Sequence, residues 1–185
     1  MDYMRLIRVL AISGSLRRMS SNSALVRAIA RLATGPVQVS IYDELGDLPH
    51  FNPDDDREPA HPSVARLRYK MQAADALVIS SPEYAHGVPG ALKNALDWIV
   101  GSGKLEDKPI ALINASPRSA HAWVSLAQTL TVMSAHVVPA ASITVPLPTR
   151  SIDANAITED PDLAEALRSA IVALVAAARE PIVLR

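Results

Sequence analysis

Short apolar runs recur along this chain at intervals that leave room for a helix between each pair. Ala76-Leu77-Val78-Ile79-Ser80 and Ile110-Ala111-Leu112-Ile113 carry neither charge nor polar alternation. Strands of that kind are covered on both faces, which is characteristic of a parallel sheet between two helical layers. Arg5–Ser13, β-branched and apolar, opens the series. Val37-Gln38-Val39-Ser40-Ile41 alternates instead, as a half-exposed edge strand does. His136–Val145 supplies the last strand. Between these runs apolar residues recur at helical spacing. Leu25, Ala28, Ile29 and Leu32 follow the first strand, and Leu92, Ala95, Leu96 and Ile99 follow Pro89. Helices are also predicted from about Ser63 to Ala73 and from about Ser119 to Ala135. A last one follows the Asp160-Pro161 cap through Leu163, Leu167, Ile171, Leu174 and Val175. The order β-α-β-α-β-α-β-α-β-α, without repeat or linker, predicts a single doubly wound α/β domain over 1–185. It has five parallel strands in the order 2-1-3-4-5 with helices on both faces. Asp43–Pro62 is left as a long loop, ordered only in part by its neighbours.

Composition narrows the chemistry. A chain of 185 residues with 49% hydrophobic side chains buries about 70% of its unfolded surface, so no metal or disulfide staple is needed. The complete lack of Cys removes thiolate metal sites, thiol nucleophiles and CxxC redox pairs together. Any redox chemistry therefore falls to a cofactor. With 18 basic against 19 acidic side chains, the chain lacks the basic excess of a nucleic-acid binder. Val9–Ile12 is too short for a secretory leader, and a cytoplasmic protein is expected. Ser119–Thr149 holds no Asp, Glu, Lys or Arg, yet Gln128, His121, His136 and Pro139 interrupt it, so helix plus buried strand is favoured over a membrane span.

In such a sheet ligands bind outside the carboxyl ends of the strands, near the switch between strands 1 and 3. Three loops gather there: Gly14–Ser21, Ser81–Val88 and Asn114–Ser119. The first offers hydroxyls at Ser13, Ser15, Ser20 and Ser21, the Arg17 guanidinium and the Asn22 amide, all just before a helix start. Helix-terminal N–H groups, hydroxyls and one guanidinium suit a phosphate monoester. The loop has neither GxGxxG nor GxxxxGK[ST] and so fits neither a dinucleotide nor a triphosphate fingerprint. A Ser-rich loop that merely caps its helix is the plain alternative. The second loop, with Pro82, Gly87, Pro89 and Gly90 around Tyr84, is a constrained turn whose amides suit the edge of a planar ligand.

Together the two loops resemble the NADPH-dependent FMN reductases of the flavodoxin-like fold, with their related quinone, azo and chromate reductases. The pattern GS-x-R-x-x-S-x-N is met by Gly14, Ser15, Arg17, Ser20 and Asn22. The pattern PEY-N-x-x-x-PG-x-LKNA-x-DW is met by Pro82, Glu83, Tyr84, Pro89, Gly90, Leu92, Lys93, Asn94, Ala95, Asp97 and Trp98. The similarity runs from about Arg5 to Val145. Two positions depart: Ala85 stands in place of the common Asn, and His86 in place of a small residue. The third loop lacks the Gly-Gly of many relatives.

The resemblance implies that Ser15, Arg17, Ser20 and Asn22 hold the FMN phosphate. It implies that Pro82, Glu83, Tyr84 and Ala85 line the isoalloxazine, mainly through backbone groups, with Ser116 at the opposite edge. It further implies ping-pong hydride transfer from NADPH or NADH to FMN, then two-electron reduction of a small acceptor: a quinone, azo compound, chromate or free flavin. No side-chain acid or base is obligatory, so no catalytic residue and no metal ligand is expected. The alternative is a non-enzymatic FMN-binding electron carrier or redox sensor. Arg17, Arg18 and Arg118 are candidates for a nucleotide 2′-phosphate.

Several other residues invite functional readings. Asp54-Asp55-Asp56 reads as a solvated charge run, having no further ligand spaced to complete a metal shell. His86 reads as a loop spacer, with a proton donor or an acceptor-site wall as the functional alternatives, and His121 and His136 are expected in the core or an interface. Trp98 and Asp97 fall off the apolar stripe of their helix and read as structural contacts, and Glu83 could brace its turn or bridge subunits. The uncharged helix from Ser119 carries Trp123, Leu126, Leu130 and Met133 on one side and Ala120, Val124, Ala127 and Val132 on others. With no charged face for water, it predicts a homodimer contact, or one within a homotetramer.

Overall fold

In the computed structural model, which describes residues 5–118, 120–149 and 151–180, strand β1 (Ile7–Ser13) lies at the centre of the sheet. It pairs in parallel with β2 (Val37–Tyr42) on one side, Ile7 opposite Val37, and with β3 (Ala76–Ser80) on the other, Ser13 opposite Ser80. β4 (Pro109–Asn114) follows β3, and β5 (His136–Val137) follows β4, giving the predicted order β2-β1-β3-β4-β5. Helices α1 (Ser21–Leu32), α2 (Pro62–Ala73), α3 (Gly90–Val100) and α4 (Ala120–Val132) make the crossovers that parallel strands require. Ser119, the expected first residue of α4, lies outside the described residues.

Alternate residues of β1 enter opposite layers. Ile7, Val9 and Ala11 pack with Leu25, Ile29, Leu167 and Leu174. Leu10 and Ile12 pack with Leu67, Leu96, Ile99 and Leu130. Each Leu or Ile so buried contributes roughly 1.5–3 kcal/mol before entropy is counted. These two layers hold the carboxyl ends of β1, β3 and β4 along one edge, where Ser13, Ser80 and Asn114 end their strands.

Several expectations need correction. The last strand is not continuous over His136–Val145. After β5 the chain makes a 3-10 turn, Pro139–Ala141, and then resumes as β6 (Ile143–Thr144), which pairs with β4 at Ile113 and Asn114. Pro139 has no N–H to give a ladder, and the Ser142 hydroxyl fills the gap by accepting the Leu112 amide at 3.1 Å.

The loop from Asp43 to Pro62 is tied down along its length, and by the residue expected to lie off the buried stripe. Trp98 is fully buried, donates from its indole N–H to the Pro49 carbonyl at 2.8 Å, and meets Phe51 edge to face. Asn94 adds two bonds, donating to the Pro49 carbonyl at 2.9 Å and accepting the Phe51 amide at 2.7 Å. The LKNA-x-DW segment is thus a staple for this loop. Asp56 is not a free charge either. It pairs with Arg68 at 2.6 Å, and the same guanidinium donates to the Trp98 carbonyl.

His121 and His136 are exposed, not in the core. A short helix unseen in the sequence, α5 (Ala154–Glu159), is capped by the Asp153 side chain and precedes α6 (Pro161–Arg179). Among the described residues no helix is long and apolar enough to cross a membrane.

Candidate active site at the carboxyl edge of the sheet

The loop after β1 is built by its own hydroxyls. Gly14 continues the β1–β3 ladder by donating to the Ser80 carbonyl at 2.8 Å. A side chain there would come within 2.8 Å of the Ser81 hydroxyl and 3.0 Å of Leu92, so glycine is required by this close approach. Ser13 accepts the Ser15 amide and bonds the Ser23 hydroxyl, and Ser15 accepts the Arg17 amide. Ser20 is the N-cap of α1, its oxygen accepting the Ser23 amide. The plain capping reading is therefore correct for Ser20, but it leaves the loop unsatisfied. The amides of Ser21 and Asn22, first in the helix, have no acceptor among the described residues. Such orphan N–H groups at the positive end of a helix await an anion.

Asn22 is 5% exposed and its carbonyl oxygen accepts from the buried Ser80 hydroxyl at 2.9 Å. Its NH2 group is what remains to be offered. Arg17 stands exposed at the rim.

The loop after β3 is shaped by a two-residue turn. Tyr84 and Gly87 exchange both backbone bonds, at 3.1 and 2.9 Å, with Ala85 at φ 49° and His86 at φ 61° between them. Two left-handed non-glycine residues in succession cost about 1–2 kcal/mol each. Asn or Gly favours this turn, and that is the physical content of the Ala85 departure. The turn consumes both Tyr84 backbone groups. The Glu83 and Ala85 amides have no acceptor among the described residues. The Glu83 carboxylate does brace the turn, accepting the Ala122 amide at 2.8 Å and so capping α4 from outside. The His86 ring stacks on His121, centroids 4.2 Å apart and planes within 12°. Sequence reasoning missed this pair, since nothing local links the two positions.

The third loop repeats the hydroxyl logic: Asn114 accepts the Ser116 amide at 3.1 Å, and Ser116 accepts that of Arg118 at 3.2 Å.

These loops enclose a cavity of about 750 Å³, within the roughly 300–1,000 Å³ usual for small-molecule sites. Ser15, Arg17, Ser20, Asn22, Pro82, Glu83, Tyr84 and Ser116 all reach its wall, while Ala85 lies just beyond it. Of the guanidinium candidates, Arg17 and Arg118 line it and Arg18 does not. Sequence reasoning also missed the far wall, Pro146-Leu147-Pro148-Thr149. Its signal was there to find, a Pro-x-Pro directly after the last strand. The Arg17 and Arg118 guanidiniums, the Ser15, Ser20, Ser21 and Ser116 hydroxyls and the orphan amides of Ser21, Asn22 and Glu83, against a single, already bonded carboxylate, make a donor set fit for a phosphorylated, planar ligand.

A hollow of about 820 Å³ lies at the opposite edge, beside Asp75, Lys108 and His136. Its lysine is committed to the Met71 and Ala74 carbonyls, both at 2.7 Å, and burial holds that ammonium below the usual lysine range.

A family model described as NADPH-dependent FMN reductase matches residues 7–149. The chain belongs to that family. The match runs from the start of β1 through the Pro146–Thr149 wall, so it contains every loop of the cavity. "Probable NADPH:quinone oxidoreductase 2" of Oryza sativa subsp. japonica is 34% identical over 182 residues, covering 92% of this chain and 88% of its own. An NAD(P)H-dependent FMN reductase of Pseudomonas aeruginosa is 32% identical over 173 residues, covering 91% and 93%. Among solved structures, the flavoenzyme NAD(P)H:(acceptor) oxidoreductase FerB from Paracoccus denitrificans superposes with a TM-score of 0.74 at 30% identity, covering 93% of this chain and 97% of that one. This FMN reductase family member is thus a flavin-dependent oxidoreductase with FMN as cofactor and NAD(P)H as reductant.

Proposed function

We propose that the cavity binds FMN with its phosphate on the β1–α1 loop and its ring against the 82–85 loop. The observation that carries this is the pair of orphan amides at Ser21 and Asn22, set among the Ser15, Ser20 and Ser21 hydroxyls with Arg17 at the rim. Ser15, Ser20 and Asn22 donate to phosphate oxygens, and Arg17 adds a charge-assisted pair. Pro82 and Tyr84 supply flat apolar contact, the free amides of Glu83 and Ala85 meet the polar ring edge, and Ser116 closes the other end. FMN bound here supplies hydride acceptance and donation.

The protein's part is position and electrostatics. Glu83 spends its carboxylate on α4 and so stands as a brace, not a proton donor. With one open side, nicotinamide nucleotide and acceptor take turns, which is a ping-pong order. The acceptor class we propose is small oxidants, namely quinones, azo compounds, chromate or free flavin, and the setting is the cytoplasm. Val100, Val124 and Val132 are exposed, and a groove runs between α3 and α4 where Leu96, Val100, Val132 and Met133 lie among the polar Lys93, Asp97, Ser125, Gln128 and Thr129. The occupant we propose for it is a second copy of the chain, forming a homodimer or a pair within a homotetramer, which sizing chromatography at micromolar concentration tests.

Anaerobic NADPH or NADH added to the FMN-loaded protein tests the catalytic reading. Loss of the yellow absorbance within seconds, restored by a quinone, is expected. A spectrum unchanged over minutes would point to a carrier without reductase activity.

A further inference from the structure

We infer that His86 and His121 are positioning residues: with Glu83 they form a two-point clamp that holds the 84–87 turn in place against α4. Locally the turn is held only by the two backbone bonds between Tyr84 and Gly87, and its central residues work against them. Ala85 and His86 both sit in left-handed backbone, where neither has the preference of Asn or Gly. Conformations of this kind persist when the surroundings over-determine them. Here the surroundings are two contacts on either side of Tyr84 and Ala85. Before them, the Glu83 carboxylate accepts the Ala122 amide at 2.8 Å. After them, the His86 ring lies nearly parallel on His121 at 4.2 Å. Residues 83 and 86 of the loop thus grip the adjacent residues 121 and 122 of the helix.

Both rings are exposed, so core packing does not force them together. The contact is between the rings themselves. Through it α4 sets where Tyr84 stands in the cavity wall, with Ala85 just beyond.

The consequence for ligand binding rests on the FMN reading above; the clamp itself does not. Two measurements keep them apart. In cofactor-free protein, hydrogen exchange at the Gly87 amide, which donates to the Tyr84 carbonyl at 2.9 Å, reports the turn directly. His121→Ala is expected to speed that exchange, and to weaken FMN binding measured by fluorescence quenching, each by roughly three- to tenfold, the worth of one ring pair. His86→Ala should do the same from the other side. His121→Phe, which keeps a flat ring, should restore both values to about the wild-type level, an outcome that general loosening of α4 would not produce. Unchanged Gly87 exchange in His121→Ala, or failure of Phe to restore it, overturns the clamp. Faster exchange with unchanged FMN affinity upholds the clamp and overturns its role at the cofactor site.

Discussion

Ser80, the last residue of β3, donates from its hydroxyl to the side-chain carbonyl of Asn22 in α1, 2.9 Å away and 58 residues earlier in the chain. Both are buried, Ser80 completely. This bond turns the Asn22 amide so that its NH2 group is the part left unpaired, and it joins the start of α1 to the strand that carries the 81–88 loop. Ser80→Ala leaves a buried acceptor unpaired and is expected to cost about 1–3 kcal/mol in urea unfolding. It should also weaken FMN binding, although Ser80 does not line the cavity.

Gly14→Ala should destabilise the protein by about 1–3 kcal/mol, the usual range for overpacking. Its Cβ has to displace the Ser81 hydroxyl and the Leu92 side chain, which pack against the backbone of the loop after β1. Thermal melting and FMN titration of the variant check this, and both should fall together.

Ala85→Gly should raise stability. Relief of about 1–2 kcal/mol of left-handed strain is set against the roughly 0.4–1 kcal/mol that glycine's freer unfolded state costs, leaving a net gain of about 0–1.6 kcal/mol. A lower urea midpoint for this variant would contradict the strain at φ 49°.

Burial, and secondarily the Glu44 carboxylate, pushes the Tyr42 phenol up to about 12. In the unfolded chain it ionises near 10. The unfolded state therefore loses its proton first as pH rises, and stability present in full below pH 10 is lost progressively up to pH 12. The loss is at most about 2–3 kcal/mol. Tyr42→Phe should abolish that part of the pH dependence, seen by comparing urea midpoints of both proteins at pH 9 and pH 11.5.

Much of this architecture was legible in the chain because it rests on short-range patterning. The uncharged β3 and β4 and the alternating β2 carry the strand order in their polarity, since a central strand has no watery face to show. The place of the hydroxyl-rich β1–α1 loop in the cavity wall was equally legible, as hydroxyls before a helix start are local chemistry. What stayed hidden depends on contacts far apart in sequence. Trp98 looked off-stripe because it is buried by the 43–62 loop instead of the sheet. The last strand looked continuous because a serine side chain, not the backbone, repairs the ladder around Pro139. The grip of Glu83 and His86 on α4 spans some 35 residues or more and leaves no periodic trace.

The central claim is that the start of α1 holds the cofactor's phosphate, and a crystal structure of the protein grown with excess FMN tests it most directly. The phosphorus is expected beside the Ser21 and Asn22 amides, with Ser15, Ser20 and Arg17 within hydrogen-bonding reach of its oxygens. Phosphate density elsewhere, or an FMN ring bound at the 82–85 loop with its phosphate turned out to solvent, would contradict it.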